Sequence, residues 1–285
     1  MDLKIFENLE TVWVTGHKNP DADSLVSAKI MADILNDNGI NARWVFFDGD
    51  EIGKGDDRLL YDVMAEKPMV LSRSDIGDKQ FLLVDHNDVS QSVGNVKNVI
   101  AAIDHHVPSG QIQHTYMSDY CCTALYIYMM FKDRYEFSTA QKTQIFRAVL
   151  SDSVFGKSSR YKASDGEALK IMGFEPDFEY YFKKYFIPTK LENMPDIFAA
   201  NGLKTYDFGT DKLKSTYIYA TDTEYLADYR KFIEGYDGSF VGIWIDYSVP
   251  KTYVYFKHRG VMQSFEYDCI ASRAATIMPQ IVKLL

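Results

Sequence analysis

Short apolar runs at Val12 to Thr15, Ala42 to Phe47, Phe81 to Val84 and Val99 to Ile103 punctuate the first part of the chain. Unbroken runs of this kind are the pattern of strands buried on both faces. Between and after them, helical patterns cover Ser24 to Asn36, a charged stretch near Asp56 to Ala65, Thr123 to Phe131 and Ser138 to Leu150. Alternation of strand and helix predicts an α/β fold, with a doubly wound parallel sheet in the N-terminal domain. Asn38-Gly39 supplies a stop for the first helix.

The pattern changes after Asp152. Asp165 to Phe186 reads as helix, including the aromatic-rich Phe178-Glu179-Tyr180-Tyr181-Phe182. Pro188 to Pro195 reads as a linker, because two prolines bracket a polar stretch. Alternating Tyr-rich strands follow at Ser215 to Ala220, Phe240 to Tyr247 and Thr252 to Lys257, with helices over Thr223 to Glu234 and from about Ala271. The expected organisation is an N-terminal domain over residues 1–187 and a smaller mixed α/β C-terminal domain over 196–285.

Composition narrows the function classes. A chain of 285 residues can bury a substantial core in one or two domains. Its net charge of -9 gives no basic face for coating nucleic acid. A phosphorylated substrate stays compatible, since bound cations invert the charge of an acidic pocket. Of three cysteines, Cys121 and Cys122 are adjacent, so a disulfide framework and a paired-cysteine zinc site are not expected. Free thiols, no signal peptide and no apolar run near the roughly 20 residues that span a bilayer predict a cytoplasmic protein.

The candidate chemistry sits at the ends of the apolar runs. Thr15-Gly16-His17-Lys18-Asn19-Pro20-Asp21-Ala22-Asp23-Ser24 places one histidine and two aspartates on a strand-to-helix loop. There His17 and Asp21 can face one cation and Asp23 a neighbouring one, although Asp23 or Ser24 could equally cap the helix. Asp85 closes the run Phe81 to Val84, where a carboxylate can bridge two cations or simply occupy a turn. Asp104-His105-His106 follows the next run, with His105 the better ligand candidate and His106 available to a phosphate oxygen. Asp152 follows a helical stretch and could complete a second cation's shell. Mixed imidazole and carboxylate donors on one sheet edge suit a pair of divalent cations.

Gly16-His17-Lys18-Asn19-Pro20-Asp21-Ala22-Asp23-Ser24, Val84-Asp85-His86-Asn87, Asp104-His105-His106 and Leu150-Ser151-Asp152-Ser153 resemble, in order, the motifs of the DHH phosphoesterase superfamily. Within it they are most similar to the manganese-dependent family II inorganic pyrophosphatases. The resemblance implies one metal held by His17 and Asp21, a second by Asp23, His105 and Asp152, and Asp85 bridging them. It implies Asp85 and His106 as catalytic groups, and His106, Lys157 and Arg273 as substrate contacts. It also implies two manganese ions, which cobalt or magnesium could replace, a small phosphorylated substrate, a homodimer, and a second domain that closes on the substrate. Lys183 or Lys184 is a further candidate contact.

One departure bears on substrate. The family's Ser-Arg-Lys-Lys-Gln motif corresponds here to Ser272-Arg273-Ala274-Ala275-Thr276, so Arg273 is kept and both lysines become alanine. Each lost charged contact is worth about 1.5–3 kcal/mol. The resemblance implies hydrolysis of diphosphate, which the missing lysines should leave detectable but poor, with polyphosphate or another small phosphoester as the alternative substrate and a non-catalytic phosphate sensor as the reading outside enzymology. The Gly-Gly-Gly-His signature of the oligonucleotide and cyclic-dinucleotide branch does not occur. Neither nucleic acid nor a membrane is expected as a partner. His86 is a candidate support beside Asp85, whereas His114 and His258 carry no partner signature.

Overall fold

The computed structural model describes residues 1–52, 64, 66–186, 188–191, 193–208 and 212–285. The helix expected near Asp56 to Ala65 lies, apart from Met64, outside the described residues. The chain forms two compact units, Met1–Gly156 with Arg160–Phe186, and Lys157–Ser159 with Ile187–Leu285.

The first unit holds a parallel sheet of β1 (Val12–Thr15), β2 (Ala42–Phe47), β3 (Met69–Leu71), β4 (Gln80–Val84), β5 (Val99–Asp104) and β6 (Thr115–Met117), in the order β3-β2-β1-β4-β5-β6. Val14 of the central β1 sits between Trp44 and Leu82. The chain moves outward from β1 to β3 and then returns to place β4 beside β1. The strand order thus reverses between β1 and β4, and the crevice beyond their carboxyl ends is where such sheets bind ligands.

The apolar runs are continuous because both sheet faces are covered. Leu82 and Val84 pack with one core and Phe81 and Leu83 with the other. Burial of each such side chain contributes about 1.5–3 kcal/mol. Among the described residues, the α-helices of this unit are α1 (Ala22–Asp37), α2 (Thr123–Phe131), α3 (Thr139–Asp152), α4 (Ala163–Met172) and α5 (Phe178–Tyr185). Buried Leu25, Val26, Ile30, Met31, Ile34 and Leu35 of α1 share a core with Leu125 and Ile127 of α2 and with Ile145 and Val149 of α3. Asn38 caps the end of α1, and Gly39 follows in the left-handed region at φ +78°.

Two local expectations are corrected. The cap of α1 is Asp21, whose side chain accepts from the Ser24 amide at 3.0 Å, rather than Asp23 or Ser24. The helix expected over Asp165 to Phe186 is two helices. Gly173, at φ +96°, closes α4, Pro176 has no amide to continue a helix, and Asp177 opens α5 by accepting from Tyr180 N.

The second unit contains β7 (Lys204–Asp207), β8 (Lys212–Ala220), β9 (Ser239–Asp246), β10 (Lys251–His258) and β11 (Val261–Tyr267), in the order β11-β10-β9-β8-β7. Among the described residues of this unit only the β8–β9 pair is parallel, and α7 (Leu226–Gly235) makes that crossover. Tyr229 and Ile233 of α7 pack with Ile218, Phe240 and Trp244 of the sheet. Met194–Ala200, here α6, begins inside the stretch expected as linker, with Pro195 in its first turn. The terminal helix expected from about Ala271 starts as a wider π-helical turn, Arg273–Ile277, before α8 (Met278–Val282). Among the described residues, no helix is long and apolar enough to cross a membrane.

Candidate metal centre

The loop after β1 is shaped by a close approach. A Cβ at Gly16 would lie 2.6 Å from Ser24 Cβ, so only glycine lets the strand end pass the start of α1. His17 follows and is 6 % exposed. Its Nδ1 donates to the Lys18 carbonyl at 2.9 Å, which turns Nε2 to face Asp21 Oδ2 at 3.3 Å and Asp85 Oδ2 at 3.4 Å. The other Asp21 oxygen is the α1 cap, so one carboxylate both starts the helix and presents a donor atom.

Asp85 follows β4 in the left-handed region, at φ +61°. A non-glycine residue there costs on the order of 1 kcal/mol, and the surroundings must hold it. Its amide donates to Ile103 O at 2.9 Å and its Oδ2 accepts from Ser24 Oγ at 2.7 Å. Oδ1 faces away from His17, toward His105 Nε2 at 3.2 Å, and receives a longer contact of 3.4 Å from Thr123 Oγ1.

His105 is oriented as His17 is. Nδ1 donates to Tyr120 O at 3.1 Å, and Nε2 lies 3.5 Å from Asp152 Oδ2 and 3.7 Å from Asp23 Oδ2. Nε2 is buried with no hydrogen-bond partner among the described residues. Asp23 reaches across to α2, whose own cap residue, Cys122, makes no side-chain capping bond. Instead Asp23 Oδ2 accepts from Thr123 N at 2.6 Å, and Oδ1 accepts from Ala124 N at 2.8 Å. It thereby satisfies amides the helix cannot satisfy itself.

The charges are unbalanced without a cation. Burial, then the neighbouring Asp23, Asp21, Asp152 and Asp104 carboxylates, push the Asp85 carboxyl well above its usual range. Burial and Asp21 also raise Asp23, against the bonds from Ala124, Cys122 and Thr123. Burial, followed by His106 and Arg160, holds His105 well below the usual imidazole range, so the ring is neutral with its Nε2 lone pair available. Burial alone would raise Asp104, yet its bonds and charge pairing with His106, together with His105 and Asn87, keep it ionised and far below its usual range. Clustered carboxylates with the neutral His105 imidazole aimed among them form a donor set that divalent cations satisfy.

Among the described residues, the sequence-derived ligands fall into three groups, one of them Asp85, Asp104, His105 and His106. His17, Asp21 and Asp85 offer donor atoms within 4.8 Å of one another, as do Asp23, His105 and Asp152. His106 stands beside them, its Nδ1 2.8 Å from Asp104 Oδ1 and 3.7 Å from Asp85 Oδ1, with 28 % of its side chain exposed. His86 turns away, bonded to Val84 O at 2.9 Å and Ser92 Oγ at 2.6 Å, and burial lowers its pKa to about 4. Lys183 and Lys184 lie exposed on α5, near Glu179 and Tyr180 respectively. Lys157 and Arg273 belong to the second unit.

Several supporting residues were not legible as such in the sequence. Arg160 Nη2 donates to His105 O at 2.9 Å, and Asn87 Nδ2 bonds both Asp104 Oδ2 and Val107 O. Only the Asp-His-Asn form of the second motif pointed toward Asn87.

The chain is similar to known proteins in both sequence and fold. Residues 11–152 match the DHH family, N-terminal domain. A probable manganese-dependent inorganic pyrophosphatase of Staphylococcus saprophyticus is 31% identical over 212 residues, covering 69% of this chain and 67% of that protein. The manganese-dependent inorganic pyrophosphatase of Methanothrix thermoacetophila is 29% identical over 245 residues, covering 79% and 78%. In fold, the Methanococcus jannaschii protein described as a putative family II inorganic pyrophosphatase aligns over 95% of this chain and 98% of its own, with a TM-score of 0.70 and 21% sequence identity.

Proposed function

The chain belongs to the DHH family, and from that premise we propose that it is a manganese-dependent phosphoanhydride hydrolase that splits inorganic diphosphate into two phosphates. The observation that carries the proposal is the split carboxylate of Asp85, with Oδ2 at 3.4 Å from His17 Nε2 and Oδ1 at 3.2 Å from His105 Nε2. Such a group can bridge two cations. The buried, unpartnered Nε2 of His105 fits a ligand atom in waiting. His17 and Asp21 would hold one ion, and Asp23, His105 and Asp152 the other.

Two divalent cations bound there supply Lewis acidity that activates water and offsets charge on the phosphoryl oxygens. The protein's own groups do the rest. Lys18 O and Tyr120 O accept from Nδ1 of His17 and His105 and so turn both Nε2 atoms toward the carboxylates. Asp104, ionised, accepts from Nδ1–H of His106 and stabilises the imidazolium form. His106 Nε2 can then hold a proton for a phosphoryl oxygen and release it to the departing phosphate. Lys157 and Arg273 are proposed as substrate contacts, and the same reading makes the protein a cytoplasmic homodimer.

A second reading, hydrolysis of polyphosphate or another small phosphoester, is favoured by Ala274 and Ala275 where the family has lysines. A metal-supplemented panel of diphosphate, tripolyphosphate, long polyphosphate, nucleotides and short oligonucleotides decides between them. Diphosphate turnover that is highest with manganese and abolished by chelator supports the first. More than tenfold preference for a longer or organic phosphate establishes the second.

A further inference from the structure

Arg273 is not an extended surface cation. Its guanidinium carbon lies 5.0 Å from the centroid of the Tyr217 ring, and Nη1 donates to Gly202 O at 2.6 Å. The Tyr217 ring is itself wedged against Gly202. A Cβ at Gly202 would sit 2.1 Å from Tyr217 Cε1, and Gly202 occupies the left-handed region at φ +58°. Backbone bonds lock the two segments together, since Tyr217 N donates to Asn201 O at 3.1 Å and Asn201 Nδ2 donates to Tyr217 O at 2.6 Å. On the same strand, the Tyr219 ring is 4.5 Å from that of Tyr217, and Tyr247 packs on Tyr219 at 5.7 Å. Glycine, tyrosine and arginine therefore form one stack, with a tyrosine ladder behind it.

We propose that Gly202 and Tyr217 are positioning residues that hold the Arg273 guanidinium in a fixed orientation for a phosphate group of the substrate. The proposal rests on the hydrolase reading above and on Arg273 as its substrate contact. Arginine has five donors in a rigid plane, and the bond to Gly202 O engages one of them. Stacking on Tyr217 fixes the plane, which removes much of the rotamer freedom a phosphate would otherwise have to restrict. That arrangement matters more here than in relatives with the full motif. With Ala274 and Ala275 in place of lysines, the orientation of the remaining arginine in this motif carries more of the anion recognition.

The glycine is as specific as the ring. Any side chain at position 202 meets Tyr217 and forces the ring out of the stack, and the positive φ disfavours it independently. Gly202 lies before β7 and Tyr217 in the middle of β8, so the seat is built from two segments that no local motif links to Arg273.

The test is a double-mutant cycle read by calorimetric binding of imidodiphosphate, a non-hydrolysable diphosphate analogue, to the full-length manganese-loaded protein. Arg273→Ala is expected to weaken binding at least tenfold, and Tyr217→Leu by about 3- to 30-fold, the range of a cation–π contact. The double variant should bind no worse than Arg273→Ala alone, because Tyr217 acts through the arginine. Tyr217→Phe, which keeps the ring, should recover most of the loss, and this guards against a general folding defect. Additive losses, an unaffected Tyr217→Leu, an unaffected Arg273→Ala, or a wild type that fails to bind the analogue would each overturn the proposal. Diphosphate turnover of the wild type is measured in parallel. Analogue binding with the predicted cycle but no turnover keeps the seat and removes the pyrophosphatase reading.

Discussion

Asp85 Oδ1 lies 3.2 Å from His105 Nε2, a distance at which a neutral imidazole lone pair and a carboxylate oxygen would repel unless something positive stands between them. Burial keeps His105 neutral, and its Nδ1 proton is committed to Tyr120 O. The contact is therefore costly to the empty protein and favourable to a metal-loaded one. That asymmetry yields a test with a change of sign.

Asp85→Asn removes a buried carboxylate from the company of Asp23, Asp21, Asp152 and Asp104. In chelated protein it is expected to stabilise the fold by about 1–3 kcal/mol, as relief of uncompensated buried charge does. In manganese-saturated protein the same change should lower the melting temperature and abolish turnover. Thermal unfolding with and without chelator checks both halves. An equal shift of the same sign in both states would sink the bridging role.

Gly16→Ala places a methyl group 2.6 Å from Ser24 Cβ and 3.1 Å from the Ser24 carbonyl. Because backbone is involved, the loop must shift, at about 1–3 kcal/mol. His17 is the next residue and Ser24 is the hydroxyl on Asp85, so manganese affinity should fall together with stability. Urea denaturation and metal titration of the variant measure the two; a stable variant with unchanged affinity contradicts the close-approach argument.

Restoring the family's cations, with Ala274→Lys and Ala275→Lys together, should raise diphosphate kcat/KM about tenfold or more if missing charge limits the reaction. Manganese affinity should change little, since no metal ligand is altered. Steady-state kinetics on diphosphate and tripolyphosphate separate a general gain from one confined to the short substrate. No gain on either removes the charge deficit as the explanation.

Tyr135 gives a pH dependence remote from the metal centre. Its hydroxyl donates to Asp37 at 2.9 Å and accepts from Gln141 Nε2 at 3.1 Å. Burial and the Asp37 carboxylate push its pKa up to about 12, against the Gln141 bond. The folded value exceeds the unfolded one of about 10. The contribution to stability is therefore complete below about pH 10 and is lost as pH rises toward 12. Tyr135→Phe should flatten that part of the stability profile, as read from urea midpoints across the alkaline range. The hydroxyl is partly exposed, so the effect is small.

The sequence by itself determined the parallel sheet and the placement of the candidate ligands at its strand ends. β1, β2, β4 and β5 were legible because a strand buried on both faces leaves an unbroken apolar run, and His17, Asp85 and Asp104-His105 were legible because each ends or follows one. The edge strands β3 and β6 were not, being too short to show a period, and β7 and β11 lie at the margins of their sheet. Tertiary structure alone decided which oxygen of Asp85 meets which histidine. It also decided that Asp23 caps a helix 100 residues further along the chain, and that Arg273 rests on Tyr217. Periodicity and capping report forces between near neighbours in sequence. The direction of a carboxylate or a guanidinium is set by contacts between segments far apart, and those exist only once the chain has folded.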